Sequence, residues 1–223
     1  MKQIIWLIEM GNSPRSDIVE DINNLLNDDY EIKEIGILDG LNPPEIELLK
    51  AKDNEESIIT KMNGEKLCIL SSIKVECRIQ EVINNLSINK NDIILINCDE
   101  EYKNLNSNHS LLIPYKILID FLESTQNYQL KTAIIFPVSS QIQYSSDTWK
   151  NLFPNSKFFV ANPFIRTDLT MVSRSIYEFS PELIILNCFG FTLSQKYFIE
   201  KIIHVPVILP REVVMDTIIN MKK

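Results

Sequence analysis

Two stretches of this chain share one pattern, and that pattern limits the fold more than any other feature. Asn91-Asp92-Ile93-Ile94-Leu95-Ile96-Asn97-Cys98 aligns without a gap with Pro181-Glu182-Leu183-Ile184-Ile185-Leu186-Asn187-Cys188. Each carries an acidic residue, an unbroken apolar run and then Asn-Cys. Strands this continuously apolar are buried on both faces, as in a parallel sheet covered by helices. Downstream, Ile113-Pro114-Tyr115-Lys116-Ile117-Leu118-Ile119-Asp120 aligns with Leu209-Pro210-Arg211-Glu212-Val213-Val214-Met215-Asp216. In both, a strand ends and proline takes the first turn of a helix, where its missing N–H costs nothing. Buried strands resemble one another, but shared Asn-Cys and Pro-helix steps in the same order make duplication the better account.

The rest of the chain alternates short apolar runs with amphipathic segments, the pattern of an α/β fold. A first strand covers Ile4 to Glu9 and opens into Gly11-Asn12-Ser13-Pro14-Arg15-Ser16-Asp17, with Ser16 or Asp17 placed to cap a helix carrying Ile18, Ile22 and Leu25. Thr132 to Phe136 repeats this step, opening into Pro137-Val138-Ser139-Ser140 ahead of a helix that contains Trp149. Residues 56–70 read as a hairpin turning at Asn63-Gly64. A helix runs from Ser72 to about Leu86 with an apolar stripe at Val75, Ile79, Val82, Ile83 and Leu86. The expected architecture is two pseudo-symmetric lobes, each a mainly parallel sheet flanked by helices. Residues 1–114 plus 211–223 form lobe 1, and residues 115–210 form lobe 2.

Charge and cysteine usage exclude several classes of function. The net charge of -8 comes without any basic run, which argues against nucleic acid. No run of about 18 apolar residues offers a membrane span, and the apolar N-terminal stretch is too short for a secretory signal. A cytoplasmic location is expected, with the four cysteines reduced. Two histidines and no C-x-x-C pair make a metal site improbable. No glycine-rich phosphate loop can be written on five glycines, which disfavours nucleotide binding of the common kinds, and no cofactor is expected.

Ligands of open parallel sheets bind beyond the carboxyl ends of the strands. Cys98 and Cys188 both fall at such ends, whereas Cys68 and Cys77 are expected in the core. Two lobes related by duplication would bring Cys98 and Cys188 face to face across a cleft, with roughly 7 to 9 Å between sulfurs if both are to reach one carbon. One cysteine could then take an α-proton while the other returns a proton to the opposite face. Arg15 is the natural anion anchor. Asn12, Ser13, Ser139, Ser140, Asn162 and Thr192 follow strands and are candidate donors to a substrate carboxylate, although turn and capping roles account for them equally well. Asp99, Asn187 and Gly190, beside the two cysteines, complete the candidate substrate contacts. Glu100 and Glu101 are expected to cap a following helix.

Several of these segments carry a family resemblance. Met10-Gly11-Asn12-Ser13-Pro14-Arg15-Ser16-Asp17 resembles the G-x-S-P-R-x-D opening of the AroM family, and Gly36-Ile37-Leu38-Asp39-Gly40-Leu41 resembles its G-A-L-D-G-L. Pro137-Val138-Ser139-Ser140-Gln141 with Trp149, Asn187-Cys188-Phe189-Gly190-Phe191-Thr192, and Val205-Pro206-Val207-Ile208-Leu209 are similar to further segments of that family. The family in turn looks like a relative of the aspartate/glutamate racemase superfamily, and that relation implies catalysis without a cofactor by one cysteine from each lobe. The chain departs from these patterns in three places. Asp99-Glu100-Glu101 stands where Thr-Gly often follows the first cysteine, Gly190 where racemases tend to carry a histidine, and Asn187 where the AroM pattern has Asp.

Three functions remain open from sequence. The leading one is a cofactor-independent, racemase- or epimerase-like isomerase of a small amino acid or carboxylic acid, with Cys98 and Cys188 catalytic. The others are a non-catalytic binding or regulatory protein for a small carboxylate and a one-cysteine lyase or decarboxylase. A small molecule is the expected partner, without nucleic acid or membrane, and a homodimer is left open.

Overall fold

The computed structural model describes residues 2–62, 66–125, 128–165 and 167–221. Two compact units divide the chain, Met1–Tyr115 with Ile219–Lys223, and Lys116–Ile218.

In the first unit the long β1 (Gln3–Glu9) leads through α1 (Ser16–Leu25) to β2 (Tyr30–Gly36) and α2 (Pro43–Leu49). The hairpin β3 (Ser57–Lys61) and β4 (Leu67–Ser71) follows, then α3 (Ser72–Asn85), β5 (Ile93–Ile96) and β6 (Ser110–Leu112). The main sheet has the order β2-β1-β5-β6, every pair parallel. The hairpin forms a separate antiparallel pair, while its expected turn at Asn63-Gly64 lies outside the described residues.

The second unit takes up the chain in α4 (Pro114–Thr125) and continues through β7 (Thr132–Phe136), α5 (Ser139–Leu152), β8 (Lys157–Val160) and α6 (Asp168–Phe179). Then come β9 (Leu183–Leu186), α7 (Leu193–Ile203), β10 (Val207–Ile208) and α8 (Pro210–Asn220). Its sheet order is β10-β9-β7-β8, again all parallel. Matching β1, β2, β5 and β6 to β7, β8, β9 and β10 turns one order into the other. The two sheets therefore share one topology, with α2 and the hairpin added in the first unit and α7 present only in the second.

Every residue of β5, β7 and β9 is buried, as strands covered by helices on both faces require. Ile94, Leu95, Ile134, Ile135, Ile184 and Ile185 are fully inaccessible, each contributing on the order of 2 kcal/mol of hydrophobic burial. On α3 the stripe Val75, Ile79, Val82 and Ile83 faces this core. Cys77, expected there, is exposed, because two positions from Val75 is more than half a turn around the helix. Cys68 is buried.

The chain returns to the first unit at Ile219, later than the expected 211. Val213 packs with Leu118, Leu122, Ile134 and Ile185 of the second unit, and α8 stays with that unit through Ile218. The expected caps of α1 also differ. Arg15 occupies the N-cap without a side-chain cap bond, Ser16 is already helical, and the Asp17 carboxylate is taken by Arg15. Among the described residues no helix is long and apolar enough to cross a membrane.

Candidate functional site

In the first unit the site begins where β1 and β5 end together. Ile8 pairs with Ile96, so Glu9 and Asn97 leave the sheet side by side. The Asn97 N–H donates to the Ile8 carbonyl at 2.9 Å, and its side-chain amide donates to the buried Glu9 carboxylate. Cys98 follows, half-buried. No helix forms between Cys98 and β6, so the capping role expected of Glu100 and Glu101 has no helix to serve. Glu101 pairs instead with Lys103 at 3.4 Å. The chain turns back at Tyr102, which is buried in the same apolar cluster that Cys98 packs against. Its hydroxyl donates to Met10 Sδ at 3.5 Å. Burial first, then the neighbouring Cys98 and Glu100, push the phenol well above its ordinary range. Asp99 sits half-buried between them.

The loop after β1 is held by a carboxylate that sequence reading did not single out. Asp39 accepts from Asn12 Nδ2 at 3.3 Å, Ser13 N–H at 3.0 Å, Ser13 Oγ at 2.5 Å and Gly36 N–H at 2.8 Å. Asn12 and Ser13, expected to face a substrate, thus spend these donors on Asp39. Gly11 is required here, since a Cβ would stand 2.0 Å from the Lys61 carbonyl oxygen. Arg15, expected as an anion anchor, is buried and grips Asp17 through two bonds of 2.9 and 2.8 Å. Burial opposes its charge, but Asp17, Glu9 and Glu34 together raise its pKa. Burial likewise opposes the charge of Asp17, yet Arg15 holds that carboxyl below its ordinary value.

The second unit repeats the sheet-end geometry. Ile135 pairs with Leu186, and the Asn187 N–H donates to the Ile135 carbonyl at 2.8 Å, as Asn97 does to Ile8. Phe136 occupies the place of Glu9. Cys188 then closes a tight turn in which the Phe191 N–H donates to its carbonyl at 3.1 Å and the Gly190 N–H to its sulfur at 3.4 Å. A Cβ on Gly190 would meet Pro163 and Phe164 side chains at 3.1 Å, so glycine lets this turn dock on the loop after β8. Phe189 and Phe191 are wholly buried. Arg211, also wholly buried, donates to the Phe189 carbonyl at 2.6 Å and lies over its ring at 5.4 Å.

The remaining candidates have structural partners. Thr192 is the N-cap of α7 in a capping box with Gln195, whose side chain also donates to the Pro163 carbonyl at 2.9 Å. Asn162 accepts from the Phe164 N–H at 2.9 Å and thereby shapes the β8 loop. Ser139 and Ser140 are the first residues of α5 rather than a preceding loop. The side-chain oxygens of Asn97 and Asn187 accept no hydrogen bond among the described residues. Those residues contain no cluster of three or more His, Cys, Asp or Glu suited to a metal ion. Asp39, Tyr102, Asn97 and Arg211 were missed by sequence reasoning. Asn97 and Arg211 had a signal in the internal alignment, where they follow the apolar strand and the helix-starting proline.

Racemases and an isomerase of known structure share this fold. An allantoin racemase from Klebsiella pneumoniae superposes with a TM-score of 0.60 at 12% identity, over 99% of this chain and 88% of that one. An aspartate racemase from Picrophilus torridus gives 0.55 at 15% identity, covering 98% and 94%. The maleate isomerase Iso from Pseudomonas putida S16 gives 0.55 at 10% identity, covering 100% and 93%. No curated protein matches the chain in sequence. The family model described as AroM protein matches residues 5–221, and the chain belongs to that family.

Proposed function

We propose that this protein is a cofactor-independent isomerase of the racemase or epimerase type, acting on a small amino acid or related carboxylic acid. Cys98 and Cys188 are its proton-transfer groups. The observation that carries this reading is the repeated geometry: in each of two sheets of one topology, Asn-Cys leaves the central strand pair at its carboxyl end. One cysteine as thiolate removes the α-proton, leaving an enolate. The other, as thiol, donates a proton to the opposite face of the same carbon, so the two cysteines exchange protonation states with each turnover.

Incubation in deuterated water with a panel including allantoin, aspartate and glutamate, named for the racemases of like fold, tests the reading. Deuterium enters the α-position with the native protein, and Cys98→Ser and Cys188→Ser each lose the uptake that starts from one enantiomer. Absence of exchange from every compound across the panel overturns it. The acidic run Asp99-Glu100-Glu101 favours a second reading, a binding protein that uses the same residues without turnover, for which ligand-dependent thermal stabilisation without exchange is the signature.

A further inference from the structure

We infer that Arg211 is a positioning residue for Cys188, acting through the peptide group between Phe189 and Gly190. This rests on the reading of Cys188 as a proton-transfer group and adds what fixes a donor at its sulfur. That peptide is bonded at both ends. Its N–H, on Gly190, donates to Cys188 Sγ at 3.4 Å, and its carbonyl, on Phe189, accepts from Arg211 Nη2 at 2.6 Å. The guanidinium, itself wholly buried, also lies over the Phe189 ring at 5.4 Å, so it holds that residue by main chain and side chain together. A peptide with a cation at its oxygen presents a more polar N–H, since hydrogen bonds in a chain polarise one another. Such an N–H binds a thiolate more strongly than a thiol and so favours the charged form.

The sheet brings the two residues together. β10 runs parallel beside β9, and α8 starts at Pro210 directly after it, so the first turn of α8 rises next to the turn that carries Cys188. Arg211 is the second residue of that helix. An apolar side chain of similar volume would fill the space without the desolvation that a buried guanidinium requires, so packing alone does not call for arginine here. In the internal alignment Tyr115 takes the matching place after Pro114, which makes the guanidinium a property of the second sheet end. The first turns of the bordering helices carry further charges. Lys196 of α7 pairs with Glu212 of α8 at 2.6 Å and with Glu200 at 3.8 Å, and Asp168 of α6 accepts from the Asn162 N–H at 3.2 Å. Replacing Arg211 leaves these contacts in place.

The test is the pH dependence of alkylation of the full chain by iodoacetamide, resolved cysteine by cysteine by peptide mass spectrometry. Exposed Cys77 on α3 is the internal reference. In Arg211→Met, which fills much of the same volume but cannot donate, the midpoint for Cys188 rises by about half to one pH unit. Its alkylation near neutral pH falls about three- to tenfold, while Cys77 keeps its profile. An unmoved Cys188 midpoint in the folded variant overturns the inference. So does a rate altered equally at every pH, because that reports access to the thiol rather than its ionisation. If Arg211→Met does not fold, Arg211→Lys takes its place. An ammonium keeps the charge but cannot lie flat over the ring and reach the carbonyl at once, so the midpoint still rises, by a smaller step. An unmoved midpoint in folded Arg211→Lys overturns the inference. Alkylation reports the thiol whether or not any substrate turns over, so its outcome is separate from that of the deuterium experiment.

Discussion

Asp39 organises the loop after β1 from a distance no local pattern reveals. Its carboxylate collects donors from Ser13, 26 positions earlier, and from Asn12 and Gly36. Removing it strands several donors at once, and unmade hydrogen bonds cost more than made ones contribute. Asp39→Ala is expected to lower stability by about 2 kcal/mol, read as a lower urea midpoint with unchanged slope. Asp39→Asn, which keeps an acceptor, costs less. The sequence shows Asp39 inside a Gly-x-x-Asp-Gly segment but not where its side chain reaches, because parallel pairing of β1 and β2 sets that meeting. Tyr102 was hidden for a related reason. An acidic run suggests a solvated or capping segment, and only the absence of a helix after β5 turns the following tyrosine inward.

Elements were more legible than side-chain partners, because burial on both faces and helical periodicity act locally. The strand expected at Thr132 to Phe136 is β7, and the stripe from Val75 to Ile83 is the buried face of α3. Caps were less legible, since several polar residues at each junction compete for one role. At α1 the competition leaves Arg15 paired with Asp17, whose folded pKa lies below its ordinary 3.8. A depressed carboxyl stabilises the fold above that ordinary value and loses its contribution as pH falls through the folded one. Asp17 is 45% exposed, so screening limits the effect. Asp17→Asn is expected to destabilise by about 1 kcal/mol at neutral pH. Thermal unfolding across pH should show the gap to the native protein closing as pH drops below 3.8. At α7, where Thr192 and Gln195 form a reciprocal capping box, Thr192→Ala is expected to cost about 1 kcal/mol with little pH dependence, measured the same way.

At the scale of the whole molecule, duplication kept the strand order and let the sheet ends diverge. Glu9 and Phe136 hold equivalent positions, one binding the neighbouring asparagine and the other packing in the core. Cys188 sits in a tight turn where the Gly190 N–H donates to its sulfur, whereas Cys98 is followed by an acidic run. If the two thiols serve opposite faces of one carbon, each removes the α-proton of a different enantiomer. The two single variants must then fail differently. With Cys98→Ser, deuterium uptake starting from one pure enantiomer should fall by about 100-fold or more while uptake from its mirror image persists. With Cys188→Ser the preference should reverse, and chiral chromatography coupled to mass spectrometry follows both. Loss of uptake from both enantiomers with Cys188→Ser, beside unaltered uptake with Cys98→Ser, would instead make the second unit alone responsible for proton transfer.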